Sequence, residues 1–420
     1  MQGWRPEMED RHHIRLGLDF GLDEWSFFAI FDGHAGKRAA TFAAYNLLDY
    51  ILRDSQFNLK TDSHPRRDPI QIDSKGQLIQ EIETSARLTG GKDSDSVDSS
   101  EGGFDSTNLV AESVSEIQTT DEVSRASSEN PEFSLNPLSK QLSMVESAIK
   151  SAFLELDASL RRYPISQEIS GSTAICALVS PTHIFLANCG DSRAVLGNNR
   201  TVQFCTEDHK PHDEREKLRI VAAGGTVGSS QRINGCLNVS RSLGDFEFKR
   251  QGSLPPCKQL VSPEPEVTII ERNPRDDFLI LACDGVWDVI SNEDILKYVE
   301  YKSRIEPKLE NICSAVLDVC LHKGSKDNMS IIIVSFEGAP KIDKLAIDLD
   351  LKNDEIILKA ARSILEKDMD DLSFQEFLAQ VEDELIMQSN LSILPPGAGI
   401  EGKYDILHEL WDTWFNADKS

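Results

Sequence analysis

Two apolar runs in this 420-residue chain end in the same dipeptide. "FFAIFDGHAG" closes on Asp32-Gly33-His34, and "ILACDGVWD" on Asp284-Gly285. A third carboxylate, Asp327, stands just ahead of the apolar run in "GSKDNMSIIIV", and Glu9 and Asp10 end "GWRPEMED". An Asp-Gly pair after a strand is most often a hairpin turn. Here "DGHAGKRAA" and "DGVWDVI" lead toward helical patterns, so the second strand of a hairpin is missing. Carboxylates lifted to the ends of buried strands in one sheet layer would gather at one edge, where their repulsion calls for a cation. Oxygen ligands of this kind suit Mg²⁺ or Mn²⁺. No paired Cys or His ligands offer a zinc site.

The elements that must carry these groups can be read along the chain. Trp25–Phe31 is strand-like, and "GKRAATFAAYNLLDYIL" has helical spacing. From about Lys60 to Lys140 the sequence is rich in Ser, Thr, Asp and Glu, with 8 basic and 16 acidic side chains. Such a stretch cannot bury enough apolar surface to offset its ordering entropy, so residues 60–140 read as a disordered insertion. Its serines among acids mark it as a tether or a phosphorylation target. A helix resumes near Leu142. From Gly171, short strands broken at Ser180-Pro181, Gly190-Asp191 and Gly197-Asn198-Asn199 read as antiparallel hairpins. "DFLILACDG" reads as a strand buried on both faces. Ser291 with Asp294, and later Ser373 with Glu376, read as helix starts. Beyond Gly338 the pattern is helical only, which suggests a small helical appendage over 339–420.

Composition narrows the function. The formal net charge is −26, and phosphate contacts need clustered Lys and Arg, so nucleic acid is not an expected partner. The eight cysteines include no Cys-x-x-Cys pair, which fits reduced thiols in the cytoplasm or nucleus. No segment approaches the ~20 apolar residues of a membrane span. Gln2 follows Met1, so this start offers no myristoylation glycine. No cysteine has an arginine six positions later, no Gly-Asp-x-His-Gly block occurs, and there is no Walker A loop.

The ordered blocks "GWRPEMED", "FFAIFDGHAG", "GSTAICALV", "LANCGDSRAVL", "TEDHKP", "LNVSRSLGDFEFK", "ILACDGVWDVIS" and "GSKDNMSIIIV" resemble the metal-dependent serine/threonine protein phosphatases of type 2C. They cover most of residues 1–338 outside the insertion. "LSILPPGAG" among helical segments is similar to the helical C-terminal extension of animal alpha/beta-type members. The resemblance implies an α+β fold, a four-layer α-β-β-α sandwich of two mostly antiparallel sheets. It implies hydrolysis of phosphoserine and phosphothreonine monoesters by water held between two Mg²⁺ or Mn²⁺ ions, without a phosphoenzyme.

By that resemblance Asp32 bridges the two ions, Asp284 and Asp327 complete the first site, and Glu9 and the Gly33 carbonyl serve the second. Asp191 and Asp288 match residues of a third, weaker ion. Arg5 matches the phosphate-binding arginine, His34 the general acid, and Asp10 a group that orients water. Thr173 and Arg241 match substrate-side positions, and the segment from about Gly225 to Phe246 a mobile flap. His209 and His212 read as structural. Members of the family carry an early strand ahead of the block matched by "GWRPEMED"; either the chain lacks that strand or this is an incomplete start, and Arg5 and Glu9 are expected to be less firmly held here. Phosphoproteins are the expected substrates of a monomeric enzyme, with the C-terminal helices or the insertion as surfaces for regulators. The competing reading is a catalytically weak phosphopeptide-binding regulator on the same fold; it should have lost metal carboxylates, and all four are present. A two-metal phosphodiesterase acting on nucleic acid would need a basic groove.

Overall fold

Alternation along one strand explains the layering. In "FFAIF", Phe27, Ala29 and Phe31 face one buried cluster, while Phe28 and Ile30 face another. A strand with two apolar faces must lie between two layers. The computed structural model describes residues 1–19, 21–54, 137–162, 169–367, 372–388 and 391–417. Met1–Ile79 and Leu138–Ser420 form one unit, and a second, Gln80–Pro137, lies outside the described residues but for Pro137. The insertion expected over 60–140 likewise falls outside them, apart from its last four residues.

The chain runs β1 (Arg11–Leu18), β2 (Leu22–Phe31), β3 (Gly33–His34), α1 (Arg38–Arg53) and α2 (Pro137–Arg162). Then come β4 (Gly171–Ser172), β5 (Ala174–Val179), β6 (His183–Cys189), β7 (Arg193–Asn198), β8 (Thr201–Cys205) and α3 (Glu214–Ala222). Next are β9 (Leu243–Gly244), β10 (Glu266–Glu271), β11 (Asp276–Ala282), α4 (Asp284–Trp287), α5 (Asn292–Ser303) and α6 (Leu309–His322). β12 (Ile331–Ser335), α7 (Lys344–Leu365), α8 (Phe374–Met387) and α9 (Tyr404–Ala417) complete it. α2 starts five residues ahead of the expected Leu142, because Pro137 is preset for a first helical turn.

One sheet has the order β1-β2-β5-β6-β10 and the other β12-β11-β7-β8. Neighbours in both are antiparallel. Phe28, Ile30, Ile175 and Leu186 of the first pack against Leu196, Leu279 and Leu281 of the second. α1 and α2 cover the outer face of the first sheet, and α5 and α6 that of the second. This is the expected α-β-β-α sandwich. The break at Gly190-Asp191 is not a hairpin, however: it carries the chain from β6 in one sheet to β7 in the other. Among the described residues no helix is long and apolar enough to cross a membrane.

α7, α8 and α9 bury their own core of Ile357, Ile364, Phe377, Val381 and Leu407. Both expected helix starts are capped, with Ser291 Oγ accepting from the Asp294 N–H at 3.1 Å and Ser373 paired reciprocally with Glu376. The appendage is fastened to the sandwich by polar contacts. The Tyr301 hydroxyl of α5 donates to Asp350, which buried Lys403, itself part of the appendage, holds at 2.5 Å together with Asp354. His322 of α6 stacks on Tyr404.

Between α3 and β10 the chain is held by one buried carboxylate. Glu216 accepts from Arg241 Nη2 at 2.7 Å, Arg219 Nη2 at 2.8 Å and Ser240 Oγ at 2.7 Å. Burial alone would raise its pKa, but the two guanidinium groups outweigh this and hold it well below the ordinary range. The native carboxylate thus binds protons less readily than the unfolded one. Its stabilisation is complete above the unfolded carboxylate pKa and is lost as pH falls toward the native value. Glu216→Gln should cost about 3 kcal/mol at neutral pH by leaving Arg241 buried without its counter-charge. Melting temperatures from about pH 3 to pH 7 should then fall less steeply toward acid than in the wild type; an unchanged slope would refute the assignment.

Candidate active site

Strand register alone gathers most of the acidic groups. Arg11 pairs with Phe31, so Asp10 and Asp32 are the next residues on adjoining strands. Ala282 lies between Ile331 and Arg193, which brings Asp284, Asp327 and Asp191 to one end of the second sheet. Ala174 pairs with Cys189, setting Thr173 beside Gly190-Asp191. The sequence reading put the strand-end carboxylates in a single layer. Instead Asp32 leaves the first sheet and Asp284 the second, and they meet where the edges of the two come together.

Their charges are poorly compensated by protein cations. Asp10 stands opposite Asp32 on the adjoining strand, and Asp32 and Asp284 each feel the other carboxylates of the cluster. Burial first, then the charges of Asp10, Asp284 and Asp191, push Asp32 well above the usual range. Burial and the charges of Asp191 and Asp288 bring Asp284 up to about 7. Burial raises Asp10 too; its Oδ2 accepts from Ser330 Oγ at 2.7 Å, and its buried Oδ1 has no hydrogen-bond partner. The pKa of exposed Asp288 is raised by desolvation, with Lys210 opposing.

The counter-charges are Arg5 and Lys210. Arg5 grips Asp327 with Nε to Oδ1 at 2.7 Å and Nη2 to Oδ2 at 3.0 Å. Lys210 donates from Nζ to buried Asp191. Glu9 accepts from the Gly36 N–H at 2.6 Å. A Cβ on Gly33 would stand 2.5 Å from the Glu9 carbonyl oxygen, so only glycine lets the two segments approach. The first residues are better anchored than expected. The Met1 amine donates to the Met329 carbonyl at 2.6 Å, Met329 N–H returns the bond to Met1 at 2.9 Å, and Asn328 Nδ2 donates to the Gln2 carbonyl at 2.9 Å.

These residues suit divalent cations. The donors are hard oxygens, the raised pKa values of Asp32 and Asp284 mark an excess of negative charge, and Asp10 keeps an unused buried oxygen. Among the described residues no three Asp, Glu, His or Cys side chains close round one point as a finished cage. Asp327 is partnered with Arg5 and Asp191 with Lys210, contacts that incoming cations could replace.

The substrate-side expectations fare unevenly. Thr173 is buried: its N–H donates to the Asp32 carbonyl at 2.9 Å and its Oγ1 lies 2.7 Å from Ser192 Oγ, so it supports the Asp32 backbone. Arg241 is not brought to the carboxylates. Nε and Nη2 engage Glu216 at 3.2 and 2.7 Å and Nη1 donates to the Glu264 carbonyl at 3.2 Å, which leaves no open fork for a phosphoryl group. In the flap segment Ile233 is fully buried and bridges to Val227 and Leu237. His209 is buried, with Nδ1 accepting from the Gly190 N–H at 3.2 Å. His212 stands exposed with Nε2 4.0 Å from Asp213. His34 Nε2 lies 2.8 Å from Asp245 Oδ2. Burial would lower its pKa, but the hydrogen bond and charge of Asp245 prevail and raise it. Asp245, Lys210, Ser330 and Asn328 were not singled out from the sequence, although all four lie inside the blocks quoted above.

Comparison with known proteins identifies the family. The Protein phosphatase 2C family model matches residues 1–113 and 100–329, and that of the Protein serine/threonine phosphatase 2C, C-terminal domain, residues 330–412. Human Protein phosphatase 1B is 37% identical over 414 residues, 98% of this chain and 71% of that protein. Human Protein phosphatase 1A is 34% identical over 416 residues, 98% of this chain and 88% of that protein. A solved serine-threonine phosphatase 2C from Toxoplasma gondii shares the fold, with a TM-score of 0.54 at 20% identity over 80% of this chain and 92% of that one. Carboxylates gathered at the joint edge of two antiparallel sheets, a family model over most of the chain and relatives aligned over 98% of it lead to one conclusion: the chain belongs to the protein phosphatase 2C family of serine/threonine phosphatases.

Proposed function

We propose that this chain hydrolyses phosphoserine and phosphothreonine monoesters of proteins with two Mg²⁺ or Mn²⁺ ions, water being the nucleophile. The observation that supports this most directly is the gathering of Asp10, Asp32, Asp191, Asp284 and Asp327 at one sheet edge with only Arg5 and Lys210 as counter-charges. Asp32, Asp284 and Asp327 would hold one ion, and Asp32, Glu9 and the Gly33 carbonyl the other. Asp191 and Asp288 would form a weaker third site. Bound ions supply neutralisation of the phosphoryl oxygens and a lowered pKa for water.

The chain's own side chains do the rest. Half-exposed Arg5 would take phosphoryl oxygens through the part of its guanidinium not engaged by Asp327. His34 would protonate the departing Ser or Thr oxygen, which is a poor leaving group without that proton. Asp10, opposite Asp32 on the adjoining strand, would orient water there, and Thr173 fixes the Asp32 main chain. All eight cysteines are free thiols, which favours a reducing compartment such as cytosol or nucleus. The regulator reading is not favoured, since Glu9, Asp32, Asp284 and Asp327 are all present.

Phosphate release from a phosphothreonine peptide tests the proposal. Activity should need added Mn²⁺ or Mg²⁺ and vanish with chelator; turnover without metal, or none at any metal concentration, would overturn it. Asp284→Asn removes an anionic ligand and should lower kcat by about 100-fold or more. Calorimetric titration of that variant with Mn²⁺ should show weakened binding as well, and wild-type binding would refute the ligand assignment.

A further inference from the structure

The small sheet that carries His34 is built largely of backbone. β3, β4 and β9 pair so that His34 lies opposite Gly171, and Gly171 opposite Gly244. A Cβ on Gly171 would stand 2.2 Å from Asp245 Oδ2 and 2.3 Å from His34 Nε2. The missing methyl is therefore the gap in which the imidazole and the carboxylate meet. Asp245 itself is held in the left-handed region, φ 48°, which a non-glycine residue occupies only when its surroundings compel it.

Those surroundings are specific. The Asp245 N–H donates to the Ser170 carbonyl at 3.2 Å, and the Ser242 hydroxyl donates to the same Oδ2 that meets His34, at 2.5 Å. Behind this loop lies a buried ion pair. Lys249 Nζ donates to Asp157 Oδ1 at 2.8 Å and to the Ser242 carbonyl at 2.9 Å, and Asp157 Oδ1 also accepts from the Gly244 N–H at 2.8 Å. A buried ion pair adds little stability over an apolar contact of equal volume. What this one does is tie α2 to both sides of the residue that faces His34.

We infer that Asp245 is the positioning residue of His34: it accepts from Nε2–H and so leaves Nδ1 as the nitrogen that serves the departing oxygen. The inference rests on the reading of His34 as proton donor to the leaving group. As the phosphorus–oxygen bond breaks, its electron pair stays on the substrate oxygen, which takes the Nδ1 proton. The imidazole left behind is neutral and keeps its Nε2–H on Asp245.

The test compares a phosphothreonine peptide with p-nitrophenyl phosphate at saturating Mn²⁺, because nitrophenolate departs without needing a proton. His34→Ala should lower kcat on the peptide by about 100-fold or more, and on the aryl ester at least about tenfold less. Equal losses on both would sink the proton-donor reading itself, whatever Asp245 does. With that reading intact, Asp245→Ala should lower peptide kcat by about 10- to 100-fold, leave KM within about threefold and spare the aryl ester in the same way. The double variant should be no slower than His34→Ala alone, since the two residues act as one unit. Equal losses on both substrates, or a further loss in the double variant, would overturn the positioning role. Nitrogen-15 spectra of the wild-type protein give a check that needs no substitution. Neutral His34 should carry its proton on Nε2, and an Nδ1–H tautomer would refute the inference.

Discussion

Mutual repulsion among carboxylates at the joint edge of two sheets is the constraint on which the rest depends. Asp10, Asp32, Asp191 and Asp284 are brought together by register, and burial denies them the water that would screen them. Such a cluster is tolerable only with shared protons, basic side chains or metal ions. The chain shows carboxyls pushed toward their protonated forms at Asp10, Asp32 and Asp284, and basic partners in Arg5 and Lys210. The energy to hold this arrangement comes from elsewhere, from the apolar layer between the sheets and the helices outside them.

The legible parts of the sequence were those governed by local periodicity. Apolar runs followed by Asp-Gly marked β2 and β11, and Ser-x-x-acid patterns marked α5 and α8, because each signal is confined to a few neighbouring residues. Partition between sheets was not legible. The turn residues at Gly190-Asp191 look the same whether the chain folds back in one sheet or crosses to another. The same limit applies to Arg241, since nothing local distinguishes an arginine that meets phosphate from one that meets Glu216, 25 positions away. Asp245 was in plain view, yet its partner His34 lies 211 positions distant, and only the pairing of β3, β4 and β9 brings them together.

The helical appendage shows a different balance of forces. Its three helices enclose an apolar core of their own, yet its ties to the sandwich include Tyr301 on Asp350, Lys323 on Glu401 and the stacking of His322 on Tyr404. Lys403 holds Asp350 and Asp354 in place from the other side. Of these, the partly exposed Lys323–Glu401 ion pair contributes modestly and weakens with salt. Buried Ala398, packed into the sandwich's own apolar cluster, adds a salt-independent contact to the seam.

Because Asp32 and Asp284 hang from opposite sheets, the filling between those sheets acts as a spacer gauge for the chemistry. Layers of this kind sit about 10 Å apart, at a separation set by the volume of the side chains between them. Ile30, Ile175, Leu279 and Leu281, which touch no substrate, thereby determine how far apart the two jaws stand. Trimming or swelling that filling would change the bite of the cleft even while every ligand stayed in place.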